Sequence, residues 1–124
     1  MIEHRRLTMI RKAEDRKIEK VEHKFDADGY ITVRSLINAP GELNGKGRVF
    51  SHITVAPHSG IGYHVHKGDT EIYYVLSGRA RYNDNGTVTE IGPGDVTFTP
   101  DGSGHGVDNT GDEPLDLIAL IIYG

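Results

Sequence analysis

The amino-acid sequence predicts an all-β domain, a small closed or jelly-roll barrel, on three observations. Short runs of β-forming residues alternate with turn signals from Phe25 to the end of the chain, at the spacing of a sandwich or barrel. Sixteen glycines against three Phe and no Trp mark many tight turns around a modest core of Ile, Val, Leu and Tyr. A length of 124 residues is one domain's worth, so a barrel that closes on itself and protects its strand edges is the natural solution.

Residues 1–24 form a charged segment whose pattern leaves its structure open. Residues 11–17 suit a helix, whereas residues 18–22 could equally be a strand. Met9 offers an alternative start, which would make residues 1–8 an upstream extension without structural role. Residues 25–124 are expected to hold the barrel. Asp26-Ala27-Asp28-Gly29 precedes a strand at 30–37, and Asn38-Ala39-Pro40-Gly41 opens a loop before a strand at 48–55. A loop at 57–62 leads to strands at 63–66, 71–76 and 79–82. Asn83-Asp84-Asn85-Gly86 is a hairpin signal, because Asn-Gly supplies the positive φ angles of a tight primed turn. Strands at 87–91, 96–99 and 105–109 follow, and an almost unbroken apolar run at 115–123 reads as a closing strand buried on both faces.

Composition excludes several function classes. The chain has no cysteine, so disulfides, thiolate metal sites and a cysteine nucleophile are ruled out, and any metal must use nitrogen and oxygen ligands. Residues 1–24 carry eight Lys/Arg against five Asp/Glu, the remainder six against thirteen, so a body of charge −7 follows a segment of +3. An acidic body argues against a nucleic-acid partner. No run of about 18 apolar residues is present to span a membrane, and the charged N-terminal segment lacks the apolar stretch of a signal peptide. A cytoplasmic protein is expected.

His64 and His66 are two residues apart, so on a strand both imidazoles point to one face and can converge on one ion. Glu71 follows across the turn Lys67-Gly68-Asp69-Thr70, where a hairpin partner would bring its carboxylate back beside them, and His105 on a later strand is the candidate fourth ligand. Three imidazoles and a carboxylate suit Mn, Fe, Ni, Co or Zn and leave positions for water or substrate. Taken alone, a pair of histidines on one strand face is as often hydrogen-bonded as metal-bound.

With those residues in place the chain resembles the cupin superfamily. Its first motif is matched by His64-Val65-His66, four residues, Glu71, six residues and Gly78. The second is matched by Gly94, five residues, Pro100-Asp101-Gly102, two residues, His105, three residues and Asn109, with fifteen residues between Gly78 and Gly94. One position departs: the glycine that usually stands six residues before the first histidine is His58, with Gly60 and Gly62 nearby to relieve the turn. The resemblance implies a single-domain jelly-roll barrel, similar to small stand-alone bacterial cupins. It further implies one divalent transition metal ion (Mn, Fe, Ni or Zn) held by His64, His66, Glu71 and His105. The implied function is a metal-dependent enzyme, such as an isomerase, decarboxylase or dioxygenase, acting on a small polar or anionic molecule such as a sugar or organic acid. The alternative is a non-catalytic module that binds or senses a small ligand. Small cupins commonly pair through exposed strands, so a homodimer is expected, with Ile72 and Tyr74 on the outer face serving the contact.

Three further residues are pocket candidates. Tyr73 shares the inward parity of Glu71 and could present its hydroxyl to a ligand, or be a core tyrosine. His52 lies on the strand at 48–55 and could act beside the metal or face solvent. His58 stands in a loop near the expected barrel mouth, where it could act similarly or, as the simpler reading, face solvent. Lys67, Arg79 and Arg81 are the basic residues nearest the motifs; most such residues are solvated.

Overall fold

A computed structural model describes residues 9–124; His4 and the expected upstream extension at 1–8 lie outside them. Among the described residues ten strands form two antiparallel sheets: β1 (Ile18–Glu22), β2 (Tyr30–Ser35), β3 (Gly47–Val55), β4 (Ser59–Val65), β5 (Asp69–Ser77), β6 (Ala80–Asp84), β7 (Thr87–Ile91), β8 (Val96–Thr99), β9 (Gly104–Asn109) and β10 (Leu115–Tyr123). The larger sheet has the order β1-β2-β3-β10-β5-β8 and the smaller one β4-β9-β6-β7. The chain passes back and forth between the sheets, giving the expected jelly roll with its core between them.

Local chemistry explains most elements. The β6–β7 hairpin closes on Asn85-Gly86, both at positive φ (50° and 105°), with Asp84 paired to Thr87. Residues 11–17 hold only a single 3₁₀ turn at Ala13–Asp15, and residues 18–22 become β1 because Val33 and Ile31 of β2 offer partners for Glu19 and Val21. The sheet thus takes in Ile18–Glu22 as well as the strands after Phe25.

Two expectations need correction. The segment 57–62 is not all loop: β4 starts at Ser59, since Ser59 and Ile61 pair with Asn109 and Val107 of β9 despite the glycines between them. Long-range pairing outweighs the low strand propensity of glycine here. Nor is β10 fully buried on both faces. Leu115, Leu117, Ala119 and Ile121 are buried, but the alternate Asp116, Ile118 and Leu120 are partly exposed, because the outer face of the larger sheet carries no covering layer among the described residues.

The inward face of the larger sheet is built in cross-strand rows. One row is Val33–Ile53–Leu117–Val75; the next is Ser35–Ser51–Ala119–Tyr73–Thr97; the third is Val49–Ile121–Glu71–Thr99. The middle row has small side chains at three successive positions. That leaves the interior hollow beside Tyr73, next to the row that carries Glu71.

Candidate metal centre

The hollow is lined by His64, His66 and Glu71, three of the four residues singled out by their spacing. His64 from β4, His66 just after it, Glu71 from β5 and His105 from β9 bring one ligand atom each to within 4.8 Å of the others. The two sheets meet here: Glu71 comes from the larger sheet, while His64 and His105 are cross-strand partners in the smaller one. His66, Glu71 and His105 are buried and His64 nearly so.

Each imidazole is fixed through its outer nitrogen. Nδ1 of His64 donates to the Gly62 carbonyl at 2.8 Å, and Nδ1 of His66 donates to the Asp69 carboxylate at 2.7 Å. Both partners are acceptors, so both rings carry the Nδ1 proton and, when neutral, turn an Nε2 lone pair inward. Nδ1 of His105 meets the hydroxyls of Tyr82 (2.8 Å) and Thr99 (2.9 Å), which can donate or accept and therefore permit either tautomer. Stacking holds two rings in plane: Phe25 lies on His64 at 4.0 Å between centroids, and Tyr73 on His105 at 4.9 Å.

Inward, Nε2 of His105 lies 3.2 Å from Nε2 of both His64 and His66, and Glu71 Oε1 lies 2.9 Å from His105 Nε2 and 3.0 Å from His66 Nε2. The Nε2 lone pairs of His64 and His66, aimed at one another and at a carboxylate, repel unless a proton on His105 Nε2 or a positive ion stands among them. Three nitrogens and one oxygen without sulfur form a donor set suited to a divalent first-row metal, so the residues present fit such an ion. Burial opposes ionisation of Glu71, but the hydrogen bond to His105 and the neighbouring His64 outweigh it and hold the carboxyl down at about 2. Burial lowers the proton affinity of the His105 ring, with Glu71 acting against it. At neutral pH the cluster therefore presents an anionic carboxylate and a neutral His105, the protonation states a metal requires.

Several of these supports escaped the sequence reading. Asp69 is buried and joins His66 to Arg48, whose Nε lies 3.1 Å from its carboxylate. It stands three residues after His66 in a stretch that reads as an ordinary turn, so the one available signal was an acid beside a histidine. Tyr82 and Thr99 gave none, because their relation to His105 exists only once β6, β8 and β9 have met.

Of the pocket candidates, Tyr73 reaches the site. It is 2% exposed, it lines the cavity, and burial, then the Glu71 charge, raises its hydroxyl well above its ordinary value, so it stays a phenol. His52 and His58 stand off the cavity. Strand parity turns Ser51 and Ile53 inward and His52 outward, where its Nε2 lies 2.8 Å from Asp116. His58 is exposed and bonds Asp112 at 2.7 Å; its φ of 57° explains why a glycine is usual at that position. Arg79 lies 3.8 Å from Glu90, and Arg81 borders a shallow groove outside the smaller sheet.

The cavity beside the cluster is about 290 Å³. Its mouth is bordered by Glu19, Lys24, Phe25 and Arg48, and its walls by residues such as Ile31, Val33, Val49, Ile53 and Ile121. Phe25 enters from the β1–β2 connection, in which His23, Phe25 and Asp26 all have positive φ. That connection presses its backbone onto β4: a Cβ at Gly62 would collide with the Phe25 carbonyl.

The fold and this cluster define a cupin, and the sequence belongs to that family: its Cupin domain model matches residues 51–123, more than half of the chain. The chain is 35% identical over 104 residues to the oxalate-binding protein of Thermotoga maritima, covering 84% of this chain and 85% of that one. It is also similar to a solved structure from the same organism described as a predicted oxalate decarboxylase, with a TM-score of 0.88 and 32% identity over 94% of this chain and 100% of the other. The mannose-1-phosphate guanylyltransferase ManC of Salmonella typhimurium matches at 32% identity over 83% of this chain but only 23% of its own length. Among the described residues no helix is long and apolar enough to cross a membrane.

Proposed function

We propose that this cupin binds a small carboxylate at a divalent metal ion held by His64, His66, Glu71 and His105, and that it acts on the bound molecule. The observation that carries the reading is the convergence of three Nε2 atoms and the Glu71 carboxylate beside a cavity, with Nδ1 of His64 and His66 pinned to acceptors. The name of the Thermotoga relative, an oxalate-binding protein, supports a carboxylate as the ligand class. A bound ion would supply charge that polarises the oxygens of a carboxylate. The chain's own part is to orient: Asp69 and the Gly62 carbonyl fix two rings, Tyr73 keeps a phenolic proton available to a ligand, and Phe25 narrows water access over His64. Mn, Fe, Ni and Zn all suit the donor set.

The test is elemental analysis of untagged protein purified without chelator, beside His64→Ala, followed by calorimetric titration of the loaded protein with oxalate. About one equivalent of metal, lost in the variant, together with oxalate binding that needs the metal, is the expected result. A barrel that takes up no metal even on reconstitution sinks the reading.

A second reading, binding without turnover, is favoured by one observation: His52 and His58 stand off the cavity, which leaves Tyr73 as the one sequence-chosen proton donor beside the cluster. Isotope-traced incubation with candidate acids separates the two, since turnover leaves a product and binding does not.

The outer face of the larger sheet supports the homodimer. Phe50–Leu120–Ile72–Phe98 and Ile118–Tyr74–Val96 form adjacent apolar rows there, with Phe98 63% and Tyr74 47% exposed. An apolar patch of this kind marks an interaction surface, and an antiparallel sheet face suits a two-fold contact.

A further inference from the structure

We infer that the cavity selects a 2-oxo or 2-hydroxy monocarboxylate with an apolar tail, in preference to oxalate. The inference rests on the metal-carboxylate reading above and deepens it. A carboxylate and its neighbouring oxygen would lie beside His64, His66 and Glu71, which line one side of the cavity. The rest of the molecule must then fill the remainder of the cavity. Ile31, Val33, Val49, Ile53 and Ile121 line that space, and Ser35, Ser51 and Tyr73 are the hydroxyl residues of the lining.

Two mismatches count against oxalate. The first is size: about 290 Å³ has room for on the order of ten water-sized groups, and oxalate supplies about six heavy atoms. The second is polarity. With two of its oxygens at the cluster, oxalate turns its remaining two toward a mostly aliphatic lining, where a few neutral hydroxyls replace the full hydration that the anionic oxygens lose. A branched or aromatic tail reverses both: it fills the hollow left by Ser35, Ser51 and Ala119 and loses water against Val33 and Ile53. The charges point the same way. Asp69 already engages Arg48, and Glu19 borders the mouth alongside Lys24, so the rim offers an incoming anion no unopposed pair of cations for a second carboxylate.

The experiment uses the metal-loaded full chain, with metal content measured in every sample, titrated with oxalate, pyruvate and 4-methyl-2-oxopentanoate. Affinity is expected to rise about fourfold per added tail carbon, some fiftyfold from pyruvate to 4-methyl-2-oxopentanoate, with oxalate weaker than the branched acid. In Ser51→Val, which fills part of the hollow, the ratio between branched acid and pyruvate should fall at least fivefold at equal metal content. Should that variant fail to fold, the wild-type series decides alone. Oxalate binding tighter than the branched acid, or equal affinities for the two oxo acids, overturns this inference and leaves the metal-carboxylate reading standing. Absence of binding by all three probes to loaded protein overturns both, and failure to load metal removes the centre on which both depend.

Discussion

The two faces of the six-stranded sheet reverse the usual distribution of polarity. Its inner face, buried around the cluster, carries Glu71 and Thr99 beside Ile121, with three histidines packed against them. Its outer face, open to water, carries Phe50, Ile72, Tyr74, Val96 and Phe98. Both inversions oppose folding when considered alone, since buried polar groups lose hydration and exposed apolar ones order water. The inner one is offset locally, because each buried ring and carboxylate has a named partner. The outer one has no partner within the described chain. The difference teaches that the inner cluster is assembled and partnered within one chain, whereas the apolar rows of the outer face have no covering layer among the described residues.

The most severe way to break the inner half of this contrast is His105→Ala. It removes a donor at the centre of the cluster, and metal analysis after dialysis should find less than a tenth of an equivalent while circular dichroism keeps the β-sheet signal; full metal retention would mean that the donor set is misassigned. Asp69→Asn is a finer cut, since it keeps the shape but weakens the acceptor that fixes His66. Metal affinity should fall by about 10-fold to 100-fold, and an unchanged affinity would show that the ring needs no such orientation.

The outer half is broken by Tyr74→Lys together with Phe98→Lys. Sedimentation should change from dimer to monomer at micromolar protein, with metal content preserved. A wild-type chain that sediments only as monomer removes the dimer altogether.

Acid should unfold the apo-barrel in two stages. Burial depresses His105 below its ordinary 6.5, so the unfolded chain takes up that proton first and stability falls as the pH drops through about 6.5. Glu71 is held at about 2 against an ordinary 4.5, so its contribution is present above 4.5 and is lost as the pH falls toward 2. Both contributions decline with acid; thermal melts of metal-free protein that are flat from pH 7 to pH 3 contradict the arrangement. The smallest effect belongs to His52→Ala. It removes a partly exposed pair with Asp116, so stability should change by no more than about 1 kcal/mol, and metal content should not change. Loss of metal would place His52 in the site after all.

How far the site was legible follows from which contacts are local. His64 and His66 obey strand parity and Glu71 lies a short turn away, so their convergence follows from period-two geometry. The position of His105 was legible through the resemblance of the second motif, not through parity. Strand parity by itself left His52 undecided, because its neighbours Ser51 and Ile53 on the one side and Phe50 and Thr54 on the other offer no contrast of hydrophobicity strong enough to choose a face. The segment 57–62 was misread for a related reason: glycines signal a loop locally, while the pairing that makes a strand comes from β9.

The sequence by itself determined the all-β class, the hairpin at Asn85-Gly86 and the grouping of His64, His66 and Glu71, since each depends on residue type and on spacings of a few residues. Only the tertiary structure decided that Asp69, Tyr82 and Thr99 support the rings, that Phe25 covers His64, and that Ser35, Ser51 and Ala119 align to hollow out the floor. Those relations join residues far apart in the chain, and the register that brings them together is fixed by the pairing of whole strands and the closure of two sheets on one core.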